Sequence, residues 1–141
     1  GVDVSAADAV TAKDPDTVHS MAHIAKELAK ETGAVVMVTG EVDIIASPKN
    51  DSVYTIYNGS PNMAKVTGTG CMLTCITGTY LAVTYALDAC ILAALTLDCA
   101  GEYAYAAKGL GTYHMELINQ LSLMDETKIA QLANMQELSI K

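Results

Sequence analysis

A chain of 141 residues, 51% hydrophobic and 17% charged, has the composition of one folded domain with a sizeable core, which excludes a disordered polypeptide. Its net charge is −8 and it holds only 8 Lys and Arg, so no basic face is on offer to nucleic acid. Phe and Trp are absent, which leaves Ala, Val, Ile, Leu and Met to fill the interior. An anionic small molecule is still compatible with this balance, because backbone N–H groups or a metal can hold it.

The segment from Gly1 to Ala12 is weakly patterned. It opens without an initiator Met and reads like the middle of a longer protein, so a fragment is expected. A strong helix start follows, with Asp14 as N-cap, Pro15 at the first helical position and Asp16 in the first turn. Val18, Met21, Ala22, Ala25, Leu28 and Ala29 form an apolar stripe at helical spacing. His19, His23, Lys26, Glu27 and Lys30 form the opposite, solvated face, and Gly33 stops the helix. His19 and His23 stand one turn apart, as in two-His metal sites, but their charged neighbours favour plain surface.

Ala34 to Val38 is short, apolar and β-branched, as expected of a strand buried in a parallel sheet. It ends at Thr39-Gly40, where an open α/β sheet would bind a ligand. Glu41 and Asp43 are either metal-reaching carboxylates at that strand end or loop carboxylates in water. Val42 to Ala46 and Val53 to Tyr57 read as further strands, and one pair among these is expected to be antiparallel. Ser47 to Ser52 is a turn by composition, and Asn58-Gly59 is a tight-turn dipeptide.

Val66-Thr67-Gly68-Thr69-Gly70-Cys71 is the stretch with chemical character. Its glycines permit a sharp turn and a close backbone approach. It opens a run, between Lys65 and Asp88, that holds no charged residue. Such a run is about 20 residues long, the length of a membrane span. Interspersed Gly and Thr and the lack of a basic flank favour a helix buried against a sheet. Gly68, Thr69, Gly70 and Cys71 would then lie at that helix's N-terminus, where free N–H groups bind anions and the dipole favours a thiolate. The plain alternatives are an ordinary Gly turn and a Cys that merely fills space. The loop lacks the Lys-Ser/Thr of a P-loop and the third Gly of a dinucleotide fingerprint.

Downstream, Asp88 is read as the cap of a second helix running towards Lys108. Thr112 is read as the cap of a third, with Met115, Ile118 and Leu121 inward. Asp125 is read as the cap of a last, with Ile129, Leu132 and Ala133 inward. Cys90 and Cys99 read as core filling, and the spacing of the four cysteines suits neither a metal nor a disulfide framework. No basic, apolar leader opens the chain, so a cytoplasmic protein with reduced thiols is expected.

Six pieces in this order resemble the C-terminal half of the hydroxyethylthiazole kinase family, within the ribokinase-like superfamily. They are Gly1-Val2-Asp3, Val38-Thr39-Gly40-Glu41-Val42-Asp43, Asn58-Gly59, Val66-Thr67-Gly68-Thr69-Gly70-Cys71, Ala100-Gly101-Glu102 and Gly109-Leu110-Gly111-Thr112-Tyr113. The resemblance implies a three-layer αβα fold, here its C-terminal part with strands followed by packed helices, and residues 1–141 as part of one kinase domain. It implies ATP-dependent phosphorylation of the alcohol of 4-methyl-5-(2-hydroxyethyl)thiazole in thiamine biosynthesis, with Mg2+, by a homotrimer whose active sites are shared between subunits.

By motif match, Thr39 falls on the ATP-phosphate position and Gly68 on the thiazole-contacting position. Gly70 and Cys71 fall at the catalytic position, where most ribokinase-like kinases carry an Asp. No metal ligand is carried over. The family's upstream half is absent. Its closing motif normally reads Gly-Pro-Gly-Ser/Thr-Phe, and Leu110 and Tyr113 stand here for Pro and Phe. The other readings of the chain are a hydroxymethylpyrimidine-type kinase, a non-catalytic anion-binding or assembly fragment, and a Cys71 hydrolase using His114 as base.

Overall fold

The structure, a computed structural model, describes residues 13–104 and 108–140, and Gly1-Val2-Asp3 lies outside them. The chain divides into two compact units, one of residues up to Thr55 together with Gln136 onward, the other from Ile56 to Met135.

In the first unit, helix α1 spans Pro15–Thr32 and begins where the sequence places it. The Asp14 carboxylate accepts from the Thr17 N–H at 3.1 Å, which satisfies one of the free donors of the first turn. Gly33 closes the helix in the left-handed conformation, φ +69°, and its N–H reaches the Ala29 carbonyl at 2.9 Å. Four strands form a sheet in the order β1 (Val36–Val38), β2 (Asp43–Ala46), β3 (Ser52–Ile56), β4 (Met135–Ser139).

The sheet is antiparallel where a parallel one was expected. Val36 faces Ala46 and Val38 faces Ile44 across β1 and β2. The connection between β2 and β3 is too short for a parallel crossover. Ile140 N–H donates to the Asp51 carbonyl and Thr55 Oγ1 to the Gln136 carbonyl, so β3 and β4 run in opposite directions. β1 is accordingly half-buried rather than sunk in a sheet interior. Ala22, Ala25 and Ala29 of α1 pack on Ile44, Ala46, Val53 and Ile140, with Val36, Val38 and Leu138 at the margin. Small residues on the helix let it lie close to the sheet.

Lys26 departs from the sequence reading. It is 1% exposed, and its ammonium donates to the Ser47 carbonyl at 2.8 Å and to the Asn50 carbonyl. The Ser47 to Ser52 turn is therefore wrapped around a buried cation and is not a free surface loop.

The second unit carries four helices, α2 (Thr69–Leu81), α3 (Ala86–Tyr103), α4 (Leu110–Ser122) and α5 (Glu126–Leu132). Burial is distributed against expectation. In α2 only Leu73 is buried, although the segment has no charge. In α3, Ala89, Cys90 and every residue from Ala93 to Gly101 are buried. Helix α3 takes the interior because α2, α4 and α5 all pack against it, and its alanines and Gly101 allow close approach.

Three threonines of α2 turn their hydroxyls back onto the helix, Thr74 to the Gly70 carbonyl at 2.9 Å, Thr77 to Leu73 at 2.8 Å and Thr79 to Cys75 at 3.0 Å. A threonine-rich segment stays helical in this way without polar partners elsewhere. The helix starts also shift. Tyr85 precedes α3 and Asp88 sits in its first turn, while Gly109 rather than Thr112 precedes α4. Tyr113 and Leu117 then face inward, and Met115 and Ile118 are exposed. Asp125 caps α5 as read, accepting from the Lys128 N–H at 2.8 Å. Among the described residues no helix is long and apolar enough to cross a membrane.

Candidate active site

Gly68 adopts φ +102° and ψ −6°, and α2 begins directly after it. An L side chain rarely holds such a torsion, so glycine is required by the backbone rather than by space, since a Cβ there would meet nothing within 4 Å. The first intrahelical bond runs from the Met72 N–H to the Gly68 carbonyl at 2.9 Å. The N–H groups of Thr69, Gly70 and Cys71 precede it and have no partner within the helix. No side chain caps this end. Gly70 and Cys71 are exposed, so the loop presents an open row of donors beside a thiol. Cys75, one turn on, is exposed as well, and Cys90 and Cys99 are buried.

The loop is held from behind by residues 58–63. The Glu102 carboxylate accepts from Asn58 Nδ2 and from the Gly59 N–H, both at 2.9 Å, through one oxygen. Asn58 is buried. Its Nδ2 also donates to the Leu132 carbonyl at 2.8 Å, and its Oδ1 accepts from the Asn134 N–H at 2.7 Å. Asn58-Gly59 is thus a side-chain-clamped corner and not a hairpin turn, although Gly59 does take a positive φ, +112°.

A single 3-10 turn, Met63–Lys65, leads on to the loop, and Thr69 Oγ1 lies 3.4 Å from the Met63 carbonyl. Met63 packs on Gly101 so closely that a Cβ there would run into its sulfur. Tyr113 is 1% exposed and donates to the Gly101 carbonyl at 3.1 Å. Burial pushes its phenol up, a hydrogen bond with the Ser60 side chain pulls the other way, and the Asp98 carboxylate adds to the rise. The Cys99 thiol is pushed up to about 12 by burial, with Glu102 and Asp98 adding to it. Burial likewise raises Cys90.

Thr39 belongs to the first unit. It is exposed, in the turn that joins β1 to β2. That turn is tied by the Gly40 N–H, which donates to Asp43 Oδ1 at 2.9 Å. Asp43 is buried, so its carboxylate serves the turn, and Glu41 pairs with Lys13 at 3.9 Å on the surface. The His19 and His23 rings stack edge to face with centroids 4.8 Å apart. Among the described residues no three His, Cys, Asp or Glu side chains are grouped as metal ligands.

The structure therefore brings Gly68, Gly70 and Cys71 together at one helix start, and it places Thr39 at a strand end in the other unit. Pattern reading missed the clamp. Asn58 reads from the sequence as part of a turn dipeptide and Glu102 as a piece of the resemblance, and a turn dipeptide and a helical acid 44 residues apart carry no local signal of contact.

Comparison with known proteins bears on all of this. The family model described as "Hydroxyethylthiazole kinase family" matches residues 4–127. Hydroxyethylthiazole kinase 1 of Methanosphaera stadtmanae is 37% identical over 134 residues, covering 92% of this chain and 45% of that protein. Hydroxyethylthiazole kinase of Clostridium acetobutylicum is 37% identical over 135 residues, covering 92% and 48%. A solved hydroxyethylthiazole kinase protein from Pyrococcus horikoshii OT3 superposes with a TM-score of 0.75 at 33% identity, over 87% of this chain and 51% of that one. The chain spans about half the length of the curated relatives it matches. The α/β fold, the order of the glycine motifs and the match across residues 4–127 agree, and the chain belongs to the hydroxyethylthiazole kinase family.

Proposed function

We propose that this chain supplies the phosphate-binding half of an enzyme that transfers the γ-phosphoryl group of ATP to the hydroxyl of 4-methyl-5-(2-hydroxyethyl)thiazole, a step of thiamine biosynthesis. The observation that carries this is Gly68 at φ +102° opening α2 onto free N–H groups, with Cys71 beside them.

Phosphoryl transfer needs in-line positioning and stabilisation of charge on the transferring oxygens more than covalent help from the protein. The N–H groups of Gly70 and Cys71 supply donors where that charge develops. Cys71 takes or orients the proton of the attacking alcohol. Gly68, lacking a side chain, lets the thiazole approach the backbone, and Thr39 contacts the ATP phosphates. Mg2+ would be held mainly through the substrate phosphates and would help neutralise the charge that develops on them. Among the described residues no three His, Cys, Asp or Glu side chains are grouped to hold it. The remaining half of the domain, a homotrimeric assembly and a cytoplasmic location complete the reading.

The test is a chimera in which this chain replaces the matching stretch of the Clostridium acetobutylicum relative. Phosphorylated thiazole, followed by 31P NMR with ATP, is the expected product. A folded chimera that binds ATP yet forms no phosphorylated alcohol would refute the proposal.

A further inference from the structure

We infer that Glu102 is a positioning residue for the loop that opens α2, acting through Asn58, Gly59 and Met63. The inference rests on reading that loop as the phosphoryl-transfer element, but its geometry stands by itself. One carboxylate oxygen holds two donors, Asn58 Nδ2 and the Gly59 N–H, each at 2.9 Å. Asn58 is held on both sides of its amide, because its Nδ2 also donates to the Leu132 carbonyl at 2.8 Å and its Oδ1 accepts from the Asn134 N–H at 2.7 Å. The corner at residues 58–59 is thereby locked to the end of α3.

The preceding residue of the same helix turn completes the platform. Gly101, adjacent to Glu102, receives Met63 so closely that a methyl group would collide with its sulfur. The Met63 N–H donates to the Ser60 carbonyl at 2.9 Å, which stiffens the link between the two anchor points. The Met63 carbonyl in turn faces Thr69 Oγ1, on the first residue of α2. Both ends of residues 58–63 are therefore fixed by neighbouring positions of α3, and the far end touches the helix start that carries Gly70 and Cys71. A charged acceptor serves here because hydrogen bonds to a carboxylate are roughly twice as strong as neutral ones.

A residue that merely supports the fold would change stability alone, so the experiment reads the loop directly. Cys71 and Cys75 are both exposed, and they lie one helical turn apart. Their relative rates of alkylation by iodoacetamide, measured by mass spectrometry on the 141-residue chain, report the setting of the loop against its own helix. Buried Cys90 and Cys99 report unfolding.

Glu102→Ala is expected to change the Cys71 to Cys75 ratio by about threefold or more. Glu102→Gln keeps an acceptor oxygen and is expected to restore the ratio. In the chimera, Glu102→Ala is expected to lower kcat by about 10²-fold with little change in KM, as for an ångström-scale misplacement, and Glu102→Gln to recover most of it. If the unsubstituted chimera is folded and binds ATP yet lacks turnover, the kinase reading fails and the thiol ratio decides the positioning role alone. Where Glu102→Ala exposes Cys90 and Cys99, Glu102→Asp, which withdraws the carboxylate by one methylene, takes its place under the same criteria. A ratio unchanged in the folded variant, or a Gln variant as displaced as Ala, overturns the inference.

Discussion

Gly68→Ala tests the central feature most sharply, because space and backbone conformation are separable there. A Cβ at Gly68 meets nothing within 4 Å, so the substitution creates no clash. The whole cost arises from φ +102°. L residues in the left-handed region lose about 1–2 kcal/mol, and their basin lies near φ +60°, about 40° from the observed torsion. The upper half of that range is therefore expected, unless the backbone relaxes.

Relaxation by about 40° acts on Cys71 through a lever of roughly 5 Å, the Cα separation across one helical turn. Uncompensated, that would swing the donor row by about 3 Å, and a displacement of about 1 Å already costs about 10²-fold in rate. Stability should thus fall by about 1–2 kcal/mol, or turnover by at least about 10²-fold, depending on how the strain is shared. Urea unfolding of the chain and kinetics of the chimera measure the two. Gly68→Asn should cost less than Ala, since Asn tolerates this region, and Gly68→Val should cost most. If Ala, Asn and Val are equal and each is within about 0.3 kcal/mol of the parent, with turnover intact, Gly68 is not held at positive φ and the reasoning fails.

Cys71→Ala in the chimera should lose about 10²–10⁴ in turnover if the side chain handles the alcohol proton, while Cys71→Asp should retain activity because a carboxylate is ionised at neutral pH. An Ala variant with unaltered turnover removes Cys71 from the mechanism. Lys26→Met keeps the apolar stem but strips the donor from the Ser47 and Asn50 carbonyls, and should destabilise the chain by about 2–4 kcal/mol in urea titration. A change below about 0.5 kcal/mol would show that water replaces the ammonium there. For Cys99, the folded state keeps a proton that the unfolded chain loses above 9.0, so its stabilising contribution is complete below pH 9.0 and is lost as pH climbs towards about 12. Cys90 and Tyr113, also raised by burial, act in the same direction. Unfolding midpoints measured across that window should fall more gently in Cys99→Ala than in the parent chain.

Local signals served where structure is locally determined. Asp14-Pro15 and Gly33 mark α1 because caps satisfy the helix's own end groups. Gly68 and Gly70 were visible because a glycine pair ahead of an uncharged run has few other uses. Lys26 was not visible, since it follows Ala25 at the edge of the apolar stripe and its partners are carbonyls of a distant turn. Strand β4 was not visible either. Met135–Ser139 is mostly exposed and has no alternating pattern, and it is a strand because β3 offers it an edge. Helix α2 is less buried than its uncharged sequence implies, because lack of charge does not measure depth. Helix α3 carries Asp98 into the interior and Glu102 to a half-buried position, where its carboxylate is held by the corner at residues 58–59. Charge count cannot reveal depth when the charges are satisfied.

The two departures from the family's closing motif follow from the same helix geometry. Leu110 is the first residue of α4, directly after Gly109. Proline is favoured at such a position because its missing N–H is one that the helix does not use and its φ is already helical. A leucine there forfeits only that preorganisation and breaks no hydrogen bond, and its side chain lies 45% exposed, where it displaces nothing. Tyr113 stands where the pattern has Phe, at a position 1% exposed, and a buried hydroxyl without a partner would be costly there. It has one, the Gly101 carbonyl at 3.1 Å. That bond lands on the residue next to Glu102 and opposite Met63, so the added oxygen ties α4 to the platform behind the Gly68 loop. The departures therefore leave the helix start intact and add a hydrogen bond where the loop is anchored. Tyr113→Phe should separate these roles: lower stability by about 1 kcal/mol, from one net hydrogen bond, with α4 still formed.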